Sequence, residues 1–182
     1  MTLLLLVRHA ETEGMAGKKD SDHLSSRGRR QARLVAKRLA EFEFDRIYTS
    51  DAIRALETTK LIMAERSGKK FTVTPQLREI YAPIVGGVPT TYSPKREPKE
   101  RVRAERVFRR FCRPGRKRIL LVCHGNLIRF LIARTLKVNP KHLPCPFRIL
   151  PTSVSTLVFE RNLSGVRSVN DVSHLPAALA RD

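Results

Sequence analysis

Leu3-Leu4-Leu5-Leu6-Val7-Arg8-His9-Ala10-Glu11-Thr12 decides how this chain is read. Five apolar residues in a row, too few for a helix and without alternation, predict a central strand buried on both faces. The chemistry then changes abruptly. Arg8, His9 and Glu11 stand where the strand leaves the core, and in open α/β sheets ligands bind beyond the carboxyl ends of strands. Arg8 and His9 are therefore expected beside a ligand.

The pattern recurs late in the chain. Ile119 to Cys123 is a second short apolar run, followed at once by His124-Gly125-Asn126 and then by the helical stretch Leu127 to Leu136. If the two strands are parallel neighbours, the imidazoles face one another across a crevice. A helix starting near Asn126 would aim backbone N–H groups at the same place, which is an anion site.

Between these runs, strands and helices alternate. Ala32, Val35, Ala36 and Leu39 have the i, i+3, i+4, i+7 spacing of an amphipathic helix over Ser26 to Phe42. Arg46 to Thr49 reads as a strand, and Ser50 or Asp51 as the cap of a helix running to about Ser67 and stopping at Gly68. That puts Arg54 in a helical first turn. Phe71 to Thr74 is a further strand with Glu79 in the loop after it. Four prolines and Gly86-Gly87 between Tyr81 and Pro98 predict an irregular loop. A helix from Pro98 to about Cys112 follows, with Ala104, Val107, Phe108 and Phe111 as its buried stripe. Thr152 to Glu160 and Val166 to Val169 form a terminal hairpin. The alternation predicts an α/β fold, a three-layer α/β/α sandwich with a mostly parallel sheet and a C-terminal edge hairpin.

Arg8-His9-Ala10-Glu11-Thr12, Leu24 to Ala32, Tyr48 to Ala55 with Glu57-Thr58-Thr59, Leu77-Arg78-Glu79 and His124-Gly125-Asn126 together resemble, in order, the motifs of the histidine phosphatase superfamily, the phosphoglycerate-mutase-like clan. The likeness runs from Leu3 to about Ser155. It implies His9 as a nucleophile that becomes phosphorylated, Arg8, Arg54, His124 and Gly125 as phosphate-binding residues, and Glu79 as the general acid. His124 is expected to act as a cation toward the phosphoryl oxygens. Two departures stand out. Met15 occupies the place of an asparagine that touches phosphate in mutases, and only about forty residues separate Glu79 from the last catalytic strand. The short spacing implies an open phosphatase site like that of the compact protein-phosphatase branch.

A length of 182 residues suits one domain, residues 1–182. Cys112, Cys123 and Cys145 form no CxxC pair and no even disulfide framework, which fits a reducing compartment. No secretory signal and no membrane span are evident, so a soluble cytoplasmic protein is expected. No carboxylate or cysteine sits at ligand spacing from either histidine, and neither a metal nor another cofactor is expected.

Charge is the compositional oddity: 36 Lys and Arg against 17 Asp and Glu give +19. Segment 95–118 alone holds twelve basic and three acidic residues. Three functions fit. The leading one is a cofactor-independent phosphatase acting on a phosphoprotein or a small phosphoester. A mutase is the second. The third is a nucleic-acid-binding module with an unused phosphatase site, although few aromatic residues are available to stack on bases. A homodimer is left open, and the basic helix is expected beside the site opening.

Overall fold

The computed structural model describes residues 1–17, 21–66, 68–80, 97–115, 117–140 and 148–180. Strands β1 (Thr2–Arg8), β2 (Arg46–Thr49), β3 (Thr72–Val73), β4 (Arg118–Cys123), β5 (Val154–Phe159) and β6 (Ser164–Asp171) form one sheet in the order β3-β2-β4-β1-β5-β6. β3, β2, β4 and β1 are mutually parallel, whereas β5 runs antiparallel to both β1 and β6. Helices α1 (Ser26–Ala40), α2 (Ile53–Ala64), α3 (Glu97–Phe111) and α4 (Gly125–Thr135) cover the sheet. This is the expected three-layer sandwich with its edge hairpin.

The apolar run in β1 is buried on both faces, and its residues separate by parity. Leu4 and Leu6 pack with α3 and α4, while Leu5 and Val7 pack with α1 and α2. β4 divides in the same way, with Ile119, Leu121 and Cys123 on one side and Leu120 and Val122 on the other. Burying an aliphatic side chain contributes about 1.5–3 kcal/mol relative to exposure. These two strands therefore anchor both cores, and their register is fixed by them.

Several boundaries differ from expectation for identifiable reasons. Helix α1 ends at Ala40, two residues short of Phe42. The Arg66 guanidinium donates to the Leu39 and Phe42 carbonyls, satisfying groups that a helix end leaves open. Helix α2 stops at Ala64, and its N-cap is Ala52, with no side-chain cap. Ser50 and Asp51 are engaged elsewhere: the Ser50 hydroxyl lies 2.9 Å from His124 Nε2, and Asp51 takes a fork from Arg78 at 2.8 and 2.6 Å. β3 is only two residues long, because the Thr74 hydroxyl accepts from Gln76 N–H and starts a single 3₁₀ turn over Pro75–Leu77. The proline-rich loop expected before Pro98 lies at 81–96, outside the described residues, as does Cys145. Cys112 and Cys123 are buried free thiols, and no described helix is long and apolar enough to cross a membrane.

Ser25 caps α1 by accepting from Gly28 N–H at 2.9 Å, and its hydroxyl donates to Glu11 at 2.6 Å. Arg27 also reaches Glu11 at 2.6 Å. Gly28 is thereby pressed against the segment after β1, and a β-carbon built on it would lie 2.0 Å from the Glu11 carbonyl oxygen. Gly28→Ala should thus cost about 3 kcal/mol or more, at the upper end of overpacking, since backbone must move. Gly165→Ala, with nothing within 4 Å of the new methyl, should stay within about 0.5 kcal/mol. Urea unfolding midpoints of the two variants test the contrast.

Candidate active site

The register of β1 on β4 places Arg8 opposite Cys123, so the residues that follow, His9 and His124, leave neighbouring parallel strands at one level. His9 N–H continues the ladder by donating to the Cys123 carbonyl at 2.9 Å. The two imidazole rings lie 5.2 Å apart, tilted by 59°. Ser50, directly after β2, reaches the same level through its N–H to the Val122 carbonyl at 3.0 Å. Three adjacent strand ends thus deliver polar side chains to one crevice.

Hydrogen bonds fix both tautomers. His9 Nδ1 lies 2.8 Å from the Ala10 carbonyl, which can only accept, so Nδ1 carries the proton and Nε2 is left with a lone pair. Burial holds the His9 pKa well below the ordinary 6.5, reinforced by His124, Arg8 and Arg54. His124 has the opposite arrangement. Its Nδ1 faces Arg54 Nη2 at 3.0 Å, and since arginine only donates, Nδ1 accepts. Its Nε2–H then donates to Ser50 at 2.9 Å. Burial first, then Arg54, Arg103 and Arg8, depress its pKa well below 6.5. Burial and the surrounding arginines thus favour the neutral imidazole at His124, and the cationic role expected of it toward phosphoryl oxygens calls for added negative charge nearby.

Arg8 and Arg54 both enter the crevice. Arg8 donates to the Ile149 carbonyl, places Nη2 3.9 Å from Met15 Sδ, and packs against Gly125. Arg54 bridges His124 and the Asp22 carboxylate, which also receives Arg54's own N–H at 3.4 Å. The Thr58 hydroxyl ties this turn to the first motif, donating to the Arg54 carbonyl at 2.7 Å and accepting from Ala10 N–H at 3.0 Å.

Glu79 sits at the start of α4. Its carboxylate accepts from Ile80 N–H at 3.0 Å, Leu127 N–H at 3.1 Å and Asn126 N–H at 3.3 Å. Two of the N–H groups at the helix start, those of Asn126 and Leu127, expected to face an external anion, are therefore capped by Glu79. Burial raises the Glu79 pKa above 4.5, with the three N–H bonds and Arg8 acting against the rise. Arg103, from α3, holds this segment by donating to the carbonyls of Gln76 at 2.9 Å, Arg78 at 2.6 Å and Glu79 at 2.7 Å.

All six residues selected from the sequence, Arg8, His9, Arg54, Glu79, His124 and Gly125, meet around this crevice. A cleft of about 400 Å³ beside it is lined by Ala52, Arg54, Arg78, Glu79, Arg103 and His124, among others. Sequence reasoning missed Asp22, Ser50, Thr58 and Arg103 as contributors. Ser50 was legible as the residue ending a strand, but Asp22 and Arg103 come from segments whose approach only the fold determines. Among the described residues, no group of three His, Cys, Asp or Glu side chains is disposed to hold a metal ion.

A family model, histidine phosphatase superfamily (branch 1), matches residues 4–107 and 90–172. The Drosophila grimshawi protein named serine/threonine-protein phosphatase Pgam5, mitochondrial, is 32% identical over 97% of this chain and 65% of its own length. The chain spans between half and 65% of the length of the curated relatives it matches. Bacillus stearothermophilus YhfR superposes with a TM-score of 0.74 at 26% identity, covering 96% of this chain and 99% of that one. A phosphoserine phosphatase from Entamoeba histolytica, solved with phosphoserine, gives 0.72 at 25% identity, covering 97% and 100%.

Both buried imidazoles should remain neutral as pH falls through 6.5, with side-chain NMR showing His9 as the Nδ1–H form and His124 as the Nε2–H form. The unfolded chain takes up protons there that the folded chain refuses, so stability should decline as pH drops below 6.5. Protonation of both rings near 6.5 by NMR would contradict the tautomer assignment.

Proposed function

This chain belongs to the histidine phosphatase superfamily, and from that premise we propose that it is a cofactor-independent phosphatase that hydrolyses phosphomonoesters through a phosphohistidine on His9. The observation that carries this reading is the bare Nε2 of His9, held beside Arg54 and His124 in a site where burial disfavours its protonation. In the first displacement, His9 Nε2 bonds to phosphorus as the ester oxygen leaves, and Glu79 gives that oxygen its proton. In the second, the Glu79 carboxylate takes a proton from water, whose oxygen bonds to phosphorus and expels His9 as phosphate departs.

The cations do the electrostatic work. Arg8 and Arg54 present planar forks to the phosphoryl oxygens, and Gly125, against Arg8, places backbone rather than a side chain at the start of α4. Arg54 reaches phosphate by exchanging part of its contact with Asp22 and His124. A dianion arriving there brings negative charge to His124, raises its proton affinity and lets it donate. On this reading, the substrate's own charge supplies what His124 needs to act as a cation.

Phosphoserine or phosphothreonine in a protein is the proposed substrate, supported by the activity named for Pgam5, and the Entamoeba phosphatase is named for the same phosphoseryl ester as a free amino acid. The cleft is large enough for a phosphoryl group and one side chain. Cys112 and Cys123 as free thiols fit any reducing compartment, the cytoplasm or the mitochondrial interior, and the Drosophila relative is named as mitochondrial.

Two experiments test the chemistry. Acid quenching during turnover should trap a phosphoprotein that is acid-labile and alkali-stable, and His9→Ala should lose both the label and turnover; normal turnover by that variant would end the proposal. Glu79→Gln should slow alkyl phosphates by roughly 10²- to 10⁴-fold while sparing nitrophenyl phosphate, whose leaving group needs no proton. Equal losses on both substrates would assign the proton to another group.

A further inference from the structure

Helix α3 carries an arginine stripe, Arg103, Arg106 and Arg110, at i, i+3 and i+7. The sequence reading supposes segment 95–118 beside the catalytic opening, but the fifteen residues of α3 make a rod roughly 22 Å long. Among the described residues of α3, Arg103 is the one cation that lines the cleft, with Glu100 beside it. The other end emerges at the opposite edge of the sheet, where Thr2 and Arg46 begin their strands. There a cavity of about 290 Å³ is lined by Arg46, Tyr48, Arg110, Phe111, Arg113 and Lys117, among others. The length of β1 separates it from His9, a distance of roughly 20 Å.

Among the described residues, four cations line this cavity and no carboxylate does. Among the described residues none of the four is paired with an acid: Arg46 donates to the Asp45 carbonyl, and the Arg110 guanidinium lies over the Tyr48 and Phe111 rings at 5.3 and 5.1 Å. Asp45, next to Arg46, is committed to Arg118 N–H at 2.7 Å. The negative pole of α3 also ends nearby, worth about half a charge. Even after subtracting both, an excess of positive charge remains in a concave space. Arginine forks and a lysine ammonium match phosphate oxygens.

The size and the rings narrow the ligand. A cavity of this volume accepts two or three linked phosphates and has no extended groove for a nucleic-acid backbone. Phe111 is buried and Arg110 covers both rings, so bases have no open aromatic face on which to stack. We propose that this cavity is a second anion site, remote from catalysis, that binds a linear di- or triphosphate group, either an inorganic polyphosphate or the tail of a nucleotide.

The test is titration calorimetry of His9→Ala protein, which cannot turn the ligand over, with sodium tripolyphosphate. Two sites are expected, one of them lost in Arg54→Gln. Adding Arg110→Gln, Arg113→Gln and Lys117→Gln should weaken the other by roughly 100-fold, as expected for loss of charge-assisted contacts. The same three changes in the chain with native His9 should leave nitrophenyl phosphate turnover within twofold. Should the triple variant misfold, Arg113→Gln with Lys117→Gln, both on exposed residues, provides the test at a loss of about tenfold. ATP arms separate the sources: affinity equal to tripolyphosphate means that phosphates alone are read, tighter binding means a nucleotide, and either upholds the site. An isotherm unchanged by the cavity substitutions, or stronger binding of polyglutamate or single-stranded RNA than of tripolyphosphate, would overturn it.

Discussion

The parallel pairing of β1 with β4 is the constraint on which the site depends. Each strand is buried on both faces, and a slip of one residue would exchange the side chains of the two cores. The register is therefore held by several large aliphatic residues at once, far more strongly than any contact within the crevice could hold it. His9 and His124 inherit that precision. Their rings stand 5.2 Å apart because leucines and valines beneath them cannot shift.

Positive charge is the second constraint. Arg8, Arg54 and Arg103 converge where two imidazoles are buried, and the structure absorbs this by keeping both rings neutral and by setting Asp22 and Glu79 among the cations. Glu79 serves two ends with one carboxylate: it caps the start of α4 and, by burial, keeps a raised proton affinity. Removing it would alter a helix terminus as well as the local field, so its amide variant is a milder perturbation than alanine. Arg103 contributes at one remove. By gathering three carbonyls of the segment 76–79, it fixes where the Glu79 side chain starts.

The basic segment around α3 divides along the length of the helix. One end belongs to the catalytic cleft and the other to the cavity under the opposite sheet edge. A count of charges along the sequence merges the two, because a helix about as long as the strands carries its residues from one end of the sheet to the other.

The sequence by itself determined the layers and most of the elements. Short apolar runs ending in Arg8-His9 and Cys123-His124 marked the central strands, because only residues buried on both faces can be so uniformly apolar. Periodic stripes such as Ala32, Val35, Ala36 and Leu39 marked the helices, and the ordered motifs selected the six residues that meet in the crevice. Tertiary structure alone decided what those residues do at rest. Ser50 and Asp51 were read as caps, since local spacing permits it, but a buried imidazole and an arginine fork are stronger partners than a helix end. The helix start near Asn126 was read as open to an outside anion, yet Glu79 occupies it from 47 residues away. Likewise, a histidine at a strand end does not reveal its charge. That depends on burial and on arginines brought in from α2 and α3, distances that no local pattern encodes.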